Sequence, residues 1–227
     1  MRSLRGIPDP TLALIVVFCS LTSVGAFLLD AFGLLEMPFT ISFVSLPALV
    51  VTLVIAVWAG RFGRQHFLRR LYVGSVAGLL ATLAYDALRA AIMVAVPGDF
   101  DAFRSHPNFG ALILDTDPST TSAHVTGWAY HFWNGISFGI VYVMLAGGAR
   151  FWYALAWALA LETATIVIYP NVFDISRSDW MFVSVSFAGH AVYGLGLGIL
   201  SREWLTHIPW PRATWRLAMP DFRRGLT

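Results

Sequence analysis

The chain has 227 residues, of which 57% are hydrophobic and 12% are charged, with 15 basic and 13 acidic side chains. A water-soluble domain is about 25% charged, and a chain of this size cannot bury so much apolar surface in one core. The near balance of charge excludes a protein that coats nucleic acid. The single cysteine, Cys19, excludes a disulfide scaffold and a cysteine-based metal site. The composition therefore indicates an all-α integral membrane protein.

Six stretches are long and apolar enough to cross a bilayer, which takes about 20 residues. In chain order they are residues 11–35, 39–60, 71–96, 123–147, 152–169 and 180–200. The first stretch follows two arginines, as a signal peptide would, but it stays apolar for too long and has no clear cleavage site. We predict a six-helix transmembrane domain over residues 1–200 that begins with a retained signal anchor.

Arginine placement predicts the orientation, because cytoplasmic loops carry an excess of basic residues. Twelve of the 15 arginines lie in segments on one side of the predicted spans, and only Arg104 and Arg177 lie in segments on the other side. With an even number of spans, this pattern places both termini in the cytoplasm. The expected location is the cell membrane, as a multi-pass protein of a bacterial inner membrane.

Two segments are not predicted to cross the membrane. Residues 97–122 are expected to form an acidic outer loop whose phenylalanines, Phe100, Phe103 and Phe109, reach the headgroup layer. Residues 201–227 combine tryptophans with arginines, which is typical of a cytoplasmic interfacial segment on anionic lipid.

The fourth and sixth spans share the pattern H-x3-G-x3-G, which begins at His131 in one and at His190 in the other. Each of the spans before them carries one acid, Asp86 in the third and Glu162 in the fifth. Because the two histidine spans run in the same direction, we predict a tandem helical-hairpin repeat of spans 3–4 and 5–6. Glycines four residues apart let helices approach closely, within the chain or in a homo-oligomer or larger membrane complex.

Polar side chains of four spans fall at one depth, because a helix rise of about 1.5 Å per residue puts them roughly 10–15 Å below the outer surface. An ionisable group inside a membrane costs at least about 2.5–3.5 kcal/mol, so we expect these groups to face one another or water. We predict a candidate metal site in one outward-facing cavity, formed by His131, Glu162, His190 and Asp86. Five further side chains are expected around it: Arg89, Asn134, Tyr85, Tyr130 and Tyr193.

Some ionisable residues, including two at the candidate site, also have a structural interpretation. Asp86 and Arg89 are three residues apart on one helix, which predicts an internal ion pair. The histidines outside the spans, His66, His106 and His207, are expected to be solvated.

Two histidines with one or two carboxylates are the ligand set of a divalent transition metal such as zinc or iron. The same groups also suit a proton relay.

Three hypotheses about function remain open. The first is a protein that binds or transports a cation, proton or small solute. The second is a membrane-embedded metal-dependent enzyme acting on a lipid or isoprenoid, and the third is a non-catalytic subunit of a membrane complex. The expected partners are membrane lipids and a small ion or lipid-like substrate, and not nucleic acid. The sequence leaves open whether the protein is an enzyme.

Overall fold

A computed structural model describes residues 9–96, 100–173 and 175–208, and the regular elements within these ranges are helices. In chain order they are α1 (Asp9–Ala31), α2 (Met37–Thr40), α3 (Leu46–Arg61), α4 (Gln65–Ala95), α5 (Ser105–Leu114), α6 (Thr121–Ala146), α7 (Phe151–Val172) and α8 (Trp180–Thr206). A π-helical turn, Ile41–Ser45, joins α2 to α3 without a break. The predicted all-α class is confirmed.

Each of the six predicted spans forms a helix, and five are long and apolar enough to cross a membrane. These five are Asp9–Ala31, Met37–Arg61, Gln65–Ala95, Phe151–Pro170 and Trp180–Thr206. The fourth predicted span, α6, is long enough and carries no Asp, Glu, Lys or Arg, but it is not among the five. Its histidines, Asn134 and glycines lower its apolar character, so the predicted span that does not meet the hydropathy requirement is one that carries predicted site residues.

Apolar side chains cover much of the outer surface of the bundle. On α1, α3 and the π-helical turn, large apolar side chains are exposed, among them Phe18, Phe43 and Val57. Soluble proteins rarely expose contiguous apolar surface on this scale. Together with the five apolar helices, this surface is that of a multi-pass membrane protein.

The fourth and third predicted spans pack at backbone contact. A Cβ atom added to Gly135 of α6 would collide with the side chain of Thr82 on α4, and one added to Gly139 would lie 2.6 Å from the Cα of Gly78. Side chains do not fit between these helices, so the glycines are required for the approach. Thr82 and Gly78 lie four and eight residues before Asp86.

The sixth and fifth predicted spans pack in the same way. A Cβ atom added to Gly194 of α8 would lie 2.9 Å from the Cβ of Ala158 on α7, and one added to Gly198 would lie 3.0 Å from the Cβ of Ala154. Ala158 and Ala154 lie four and eight residues before Glu162. The acid and the two contact positions therefore keep the same spacing in both helix pairs.

The short helix α5 lies against the other half of α6. A Cβ atom added to Gly127 of α6 would collide with the backbone carbonyl of His106 on α5. Arg104, at the start of α5, pairs with Asp179, whose carboxylate also accepts from the backbone N–H of Phe182 and so caps α8. These contacts hold α5 against the bundle.

The expectation of a headgroup-facing loop over residues 97–122 is wrong where the structure describes it. Residues 105–114 form α5, and Phe109 packs its ring 5.0 Å from that of Phe27. Phe103 lies 5.1 Å from the ring of Trp128 on α6, and Phe100 packs against the same apolar cluster as Phe109. Aromatic rings bury more apolar area against a bundle than at its rim, which favours docking.

The predicted boundary of the cytoplasmic tail shifts. α8 continues through residues 201–206 to Thr206, so this part of the tail is helical. The remainder of the predicted interfacial tail, residues 209–227, lies outside the described residues, as do residues 97–99 of the predicted outer loop.

Candidate functional site

Three side chains of types that can ligate a metal, one each from α4, α5 and α6, meet in the bundle. The Nε2 atom of His131 on α6 lies 3.0 and 3.1 Å from the two carboxylate oxygens of Asp86 on α4. With His106 of α5, each of the three residues offers one ligand atom, and these atoms lie within 4.8 Å of one another. We call Asp86, His106 and His131 the triad. Imidazole nitrogen and carboxylate oxygen are suitable ligands for zinc and iron.

The triad forms where two helices contact the same face of α6. Positions four residues apart share a face of a helix, which aligns Gly127, His131 and Gly135. Helix α5 lies against Gly127 and brings His106, whereas α4 lies against Gly135 and brings Asp86. His131 occupies the place between the two contacts, so it is within reach of both partners.

The surroundings of His106 favour a neutral imidazole, which is the form that can ligate a metal. Its side chain is buried, and its Nδ1 lies 2.9 Å from the backbone carbonyl of Phe103. A neutral imidazole that donates from Nδ1 leaves the lone pair of Nε2 free for a metal. The ring stacks on Trp128 at 4.4 Å between centroids and meets the edge of His131 at 4.3 Å. Burial, and then the nearby His131 and Arg89, hold the pKa of His106 well below its ordinary value of 6.5.

The depressed pKa of His106 has a consequence for stability. Below pH 6.5 the unfolded chain binds a proton at His106 that the folded chain does not bind. The stability that a neutral His106 gives the metal-free protein is therefore present in full above pH 6.5. As the pH decreases below 6.5, the free energy of unfolding decreases by up to about 1.4 kcal/mol per pH unit. We expect the unfolding midpoint of His106→Gln to fall less steeply between pH 7 and 5 than that of the wild type.

Thermal unfolding in detergent measures this slope. His66→Gln is the matched control, because His66 is exposed and should leave the wild-type slope unchanged. Equal slopes in the wild type and His106→Gln would contradict a neutral buried His106.

Glu162 and His190 form a second acid–histidine pair, between α7 and α8. The Oε2 atom of Glu162 lies 2.9 Å from Nδ1 of His190, and the Glu162 side chain is fully buried. The angle at this contact is poor: Nδ1 is directed at the carbonyl of Ser186, 3.1 Å away, and neither oxygen of Glu162 has a well-formed hydrogen bond within the described residues. The side chains of Glu162 and His190 are therefore close together, but they do not form a well-aligned hydrogen bond.

The four predicted metal ligands therefore meet as two pairs rather than as one cluster. The ring of Tyr85 lies between the pairs, 5.7 Å from the ring of His131 and 5.0 Å from that of His190. The reason is helix rotation: each histidine lies beside the acid of the predicted span before it, His131 beside Asp86 and His190 beside Glu162, as the common spacing of the two helix pairs requires.

The predicted ion pair between Asp86 and Arg89 is wrong. Asp86 is directed at His131 on the neighbouring helix, whereas Nη1 of Arg89 donates to the hydroxyl oxygen of Tyr85 at 2.8 Å. The guanidinium carbon lies 4.8 Å from the centre of the Tyr85 ring and 4.9 Å from that of Phe103. The spacing of Asp86 and Arg89 along α4 would permit an ion pair, but the carboxylate of Asp86 instead contacts His131 across the interface with α6.

A cavity of about 110 Å³ opens beside the triad. Its lining includes three histidines, His106, His131 and His190, whereas their acidic neighbours Asp86 and Glu162 are not among the lining residues. All five residues expected around the site also line it: Arg89, Asn134, Tyr85, Tyr130 and Tyr193. The remaining wall is mainly apolar and aromatic, and it includes Phe27, Phe109, Phe138 and Leu161.

Hydrogen bonds fix the position of the tyrosines in this wall. Tyr130 donates to the backbone carbonyl of Ser23 on α1, and Tyr193 donates to the backbone carbonyl of Gly135 on α6, both at 2.8 Å. The amide oxygen of Asn134 is buried and has no hydrogen-bond partner within the described residues. The cavity therefore has a rigid polar frame with an unsatisfied acceptor.

The sequence analysis missed His106, which was expected to be solvated and is instead buried in the triad. One signal pointed to it: Ala123 and Gly127 extend the small-residue face of α6 beyond His131, which marks a place for another helix. The other two histidines expected at the surface, His66 and His207, are exposed.

No protein family, curated protein or solved structure matches the chain.

Proposed function

We propose that this protein binds a divalent transition metal ion, such as zinc or iron, at the triad within a membrane-embedded helix bundle. The observation that carries the proposal is the placement of one ligand atom each from Asp86, His106 and His131 within 4.8 Å of one another. Three protein ligands leave a fourth position of a tetrahedral metal open to another molecule. The neighbouring cavity, lined by both histidines, supplies the space for it.

The ligands are also prepared by their surroundings. The bond from Nδ1 of His106 to the Phe103 carbonyl orients this ring, and Trp128 holds it by stacking. Such outer contacts set the tautomer and the direction of a metal-binding histidine. These contacts support a preorganised metal site rather than a chance cluster of polar side chains.

We propose the full six-span arrangement, with α6 as the remaining span and both termini in the cytoplasm. The split of the arginines supports this orientation. The equal spacing between the acid and the helix contacts in both helix pairs supports the tandem repeat. In a bacterial inner membrane, the triad would then face the outer side.

Of the three functional hypotheses, binding of a cation has the most support, with transport as its extension. Glu162 and His190 form a second acid–histidine pair on the other side of Tyr85, so ionisable groups extend beyond the triad. The backbone contacts between α4 and α6 lie next to the cavity at Gly135 and leave no room between the helices there. Transport across the bilayer would require these helices to separate.

A metal-dependent enzyme acting on a lipid or isoprenoid is the second candidate. The observation that favours it is the aromatic and apolar part of the cavity wall, which includes Phe27, Phe109 and Phe138. An apolar chain can pack there while a polar group occupies the open metal position.

Metal titration of the purified protein tests the proposal. The protein is stripped with a chelator in a phosphate-free detergent and titrated with Co²⁺, whose visible absorption reports nitrogen and oxygen ligation. We expect one Co²⁺ per chain and its displacement by Zn²⁺. Failure to take up either metal would contradict the proposal and favour a non-catalytic subunit whose polar residues hold helices together.

A further inference from the structure

A positive charge is buried beside the triad, and no acidic side chain within the described residues pairs with it. The side chain of Arg89 is 2% exposed, yet no ion pair among the described residues includes it. Its Nε is buried and has no hydrogen-bond partner there. A buried charge is costly unless it is paired, so an arginine in this state indicates a negative group that is supplied from elsewhere.

Arg89 borders the same cavity as the triad. It lines the cavity together with His106 and His131. The rings of Tyr85 and Phe103, each less than 5 Å from the guanidinium carbon, hold the guanidinium in place, and the Phe103 ring lies 5.5 Å from that of His106. A guanidinium that is already immobilised loses little entropy when it binds a ligand.

The charge balance of the metal-loaded site favours an anion. Within the triad only Asp86 is negative, because both histidines ligate a metal in the neutral form. A divalent ion, Arg89 and Asp86 together carry a net charge of about +2. The second acid, Glu162, lies next to His190 and does not line the cavity. The cavity therefore presents excess positive charge to whatever enters it.

We propose that the cavity binds an oxyanion, a carboxylate or phosphate group, whose oxygens are shared between Arg89 and the open position of the metal. Planar guanidinium groups match carboxylate and phosphate oxygens with paired hydrogen bonds. The part of this proposal that involves the metal rests on the proposed function. The remainder of the ligand packs on the aromatic wall at Phe27 and Phe109.

Two probes, acetate and inorganic phosphate, test the oxyanion site. Calorimetry measures binding of each to metal-free protein in a phosphate-free detergent, and the visible spectrum measures binding of acetate to the Co²⁺-loaded protein. We expect both anions to bind the wild type, and acetate to shift the Co²⁺ spectrum. In Arg89→Gln, acetate binding should weaken at least about tenfold, because a charge-assisted contact is lost. Binding of Co²⁺ should not weaken in this variant.

Two further variants make the result specific. Arg202→Gln removes an arginine that is exposed at the end of α8, and it should bind both anions as the wild type does. Arg89→Lys keeps the charge without the planar fork, so it should lose affinity by less than Arg89→Gln. If Arg89→Gln does not fold, Arg89→Lys tests the anion site in its place.

The outcomes separate this inference from the proposed function. Anion binding that depends on Arg89 in a protein that takes up no Co²⁺ supports the oxyanion site and contradicts the metal site. Uptake of Co²⁺ without anion binding to the wild type, or with equal binding to the Arg89 variants, overturns the oxyanion site. A short-chain phosphatidylglycerol that displaces phosphate identifies a lipid headgroup as the source of the anion, and lack of displacement identifies a free anion.

Discussion

Replacing His131 with alanine is expected to lower the affinity of the purified protein for Co²⁺ and Zn²⁺ by about a hundredfold or more. Loss of groups that only orient a ligand costs about 10–100-fold in metal affinity, and loss of a ligand from a set of three costs at least as much. His131 is the residue that lies between the other two members of the triad, within 3.0 Å of Asp86 and at 4.3 Å ring distance from His106. His106→Ala should have an effect of similar size.

The matched control is His190→Ala, because His190 occupies the same place in the other H-x3-G-x3-G helix but belongs to the pair with Glu162. We expect this variant to bind Co²⁺ within a fewfold of the wild type. A loss in His190→Ala as large as that in His131→Ala would contradict the triad and support one cluster of both pairs.

Replacing Gly127 with alanine is expected to destabilise the protein and to weaken metal binding at the same time. The added Cβ collides with the backbone carbonyl of His106, which is rigid main chain rather than a flexible side chain. Overpacking of this kind costs about 1–3 kcal/mol. Because α5 must move away from α6, His106 moves away from His131, and we expect Co²⁺ affinity to fall at least about tenfold.

A comparison of double and single variants tests the mechanism. If Gly127→Ala acts by displacing His106, then the combination with His106→Ala should bind Co²⁺ no more weakly than His106→Ala alone. The control for a glycine-to-alanine change is Gly25→Ala on α1, where an added Cβ meets no atom within 4 Å. Additive losses of affinity in the double variant would show that Gly127 acts on the metal site by another route.

The sequence by itself determined the helical class and the approximate place of the helix in each of the six predicted stretches. Apolar length is a local property, since about 20 apolar residues in a row cross a bilayer only as a helix. For this reason each of the six predicted stretches is a helix, and the five that meet the criterion for a membrane span are confirmed as candidates. The glycine patterns were also readable, because close helix approach excludes side chains at Gly135 and Gly194.

The five residues expected around the site line the cavity: Tyr85, Arg89, Tyr130, Asn134 and Tyr193. Rotation about each helix axis, in contrast, could not be predicted from the sequence. Asp86 and Arg89 were near enough to pair on one helix, but the packing of α4 on α6 turned Asp86 to His131. Helix rotation likewise placed His190 beside Glu162 and divided the four expected ligands into two pairs.

Only the tertiary structure decided that His106 belongs to the site. Its helix is only ten residues long, too short to cross a membrane, so length and composition do not distinguish a segment on the membrane surface from a helix docked in the bundle. The difference comes from the small-residue face of α6, which accepts α5 at Gly127, and from the burial of His106 beside Trp128. A helix-forming stretch is specified by neighbours in the chain, whereas a ligand set drawn from α4, α5 and α6 depends on how three helix faces meet.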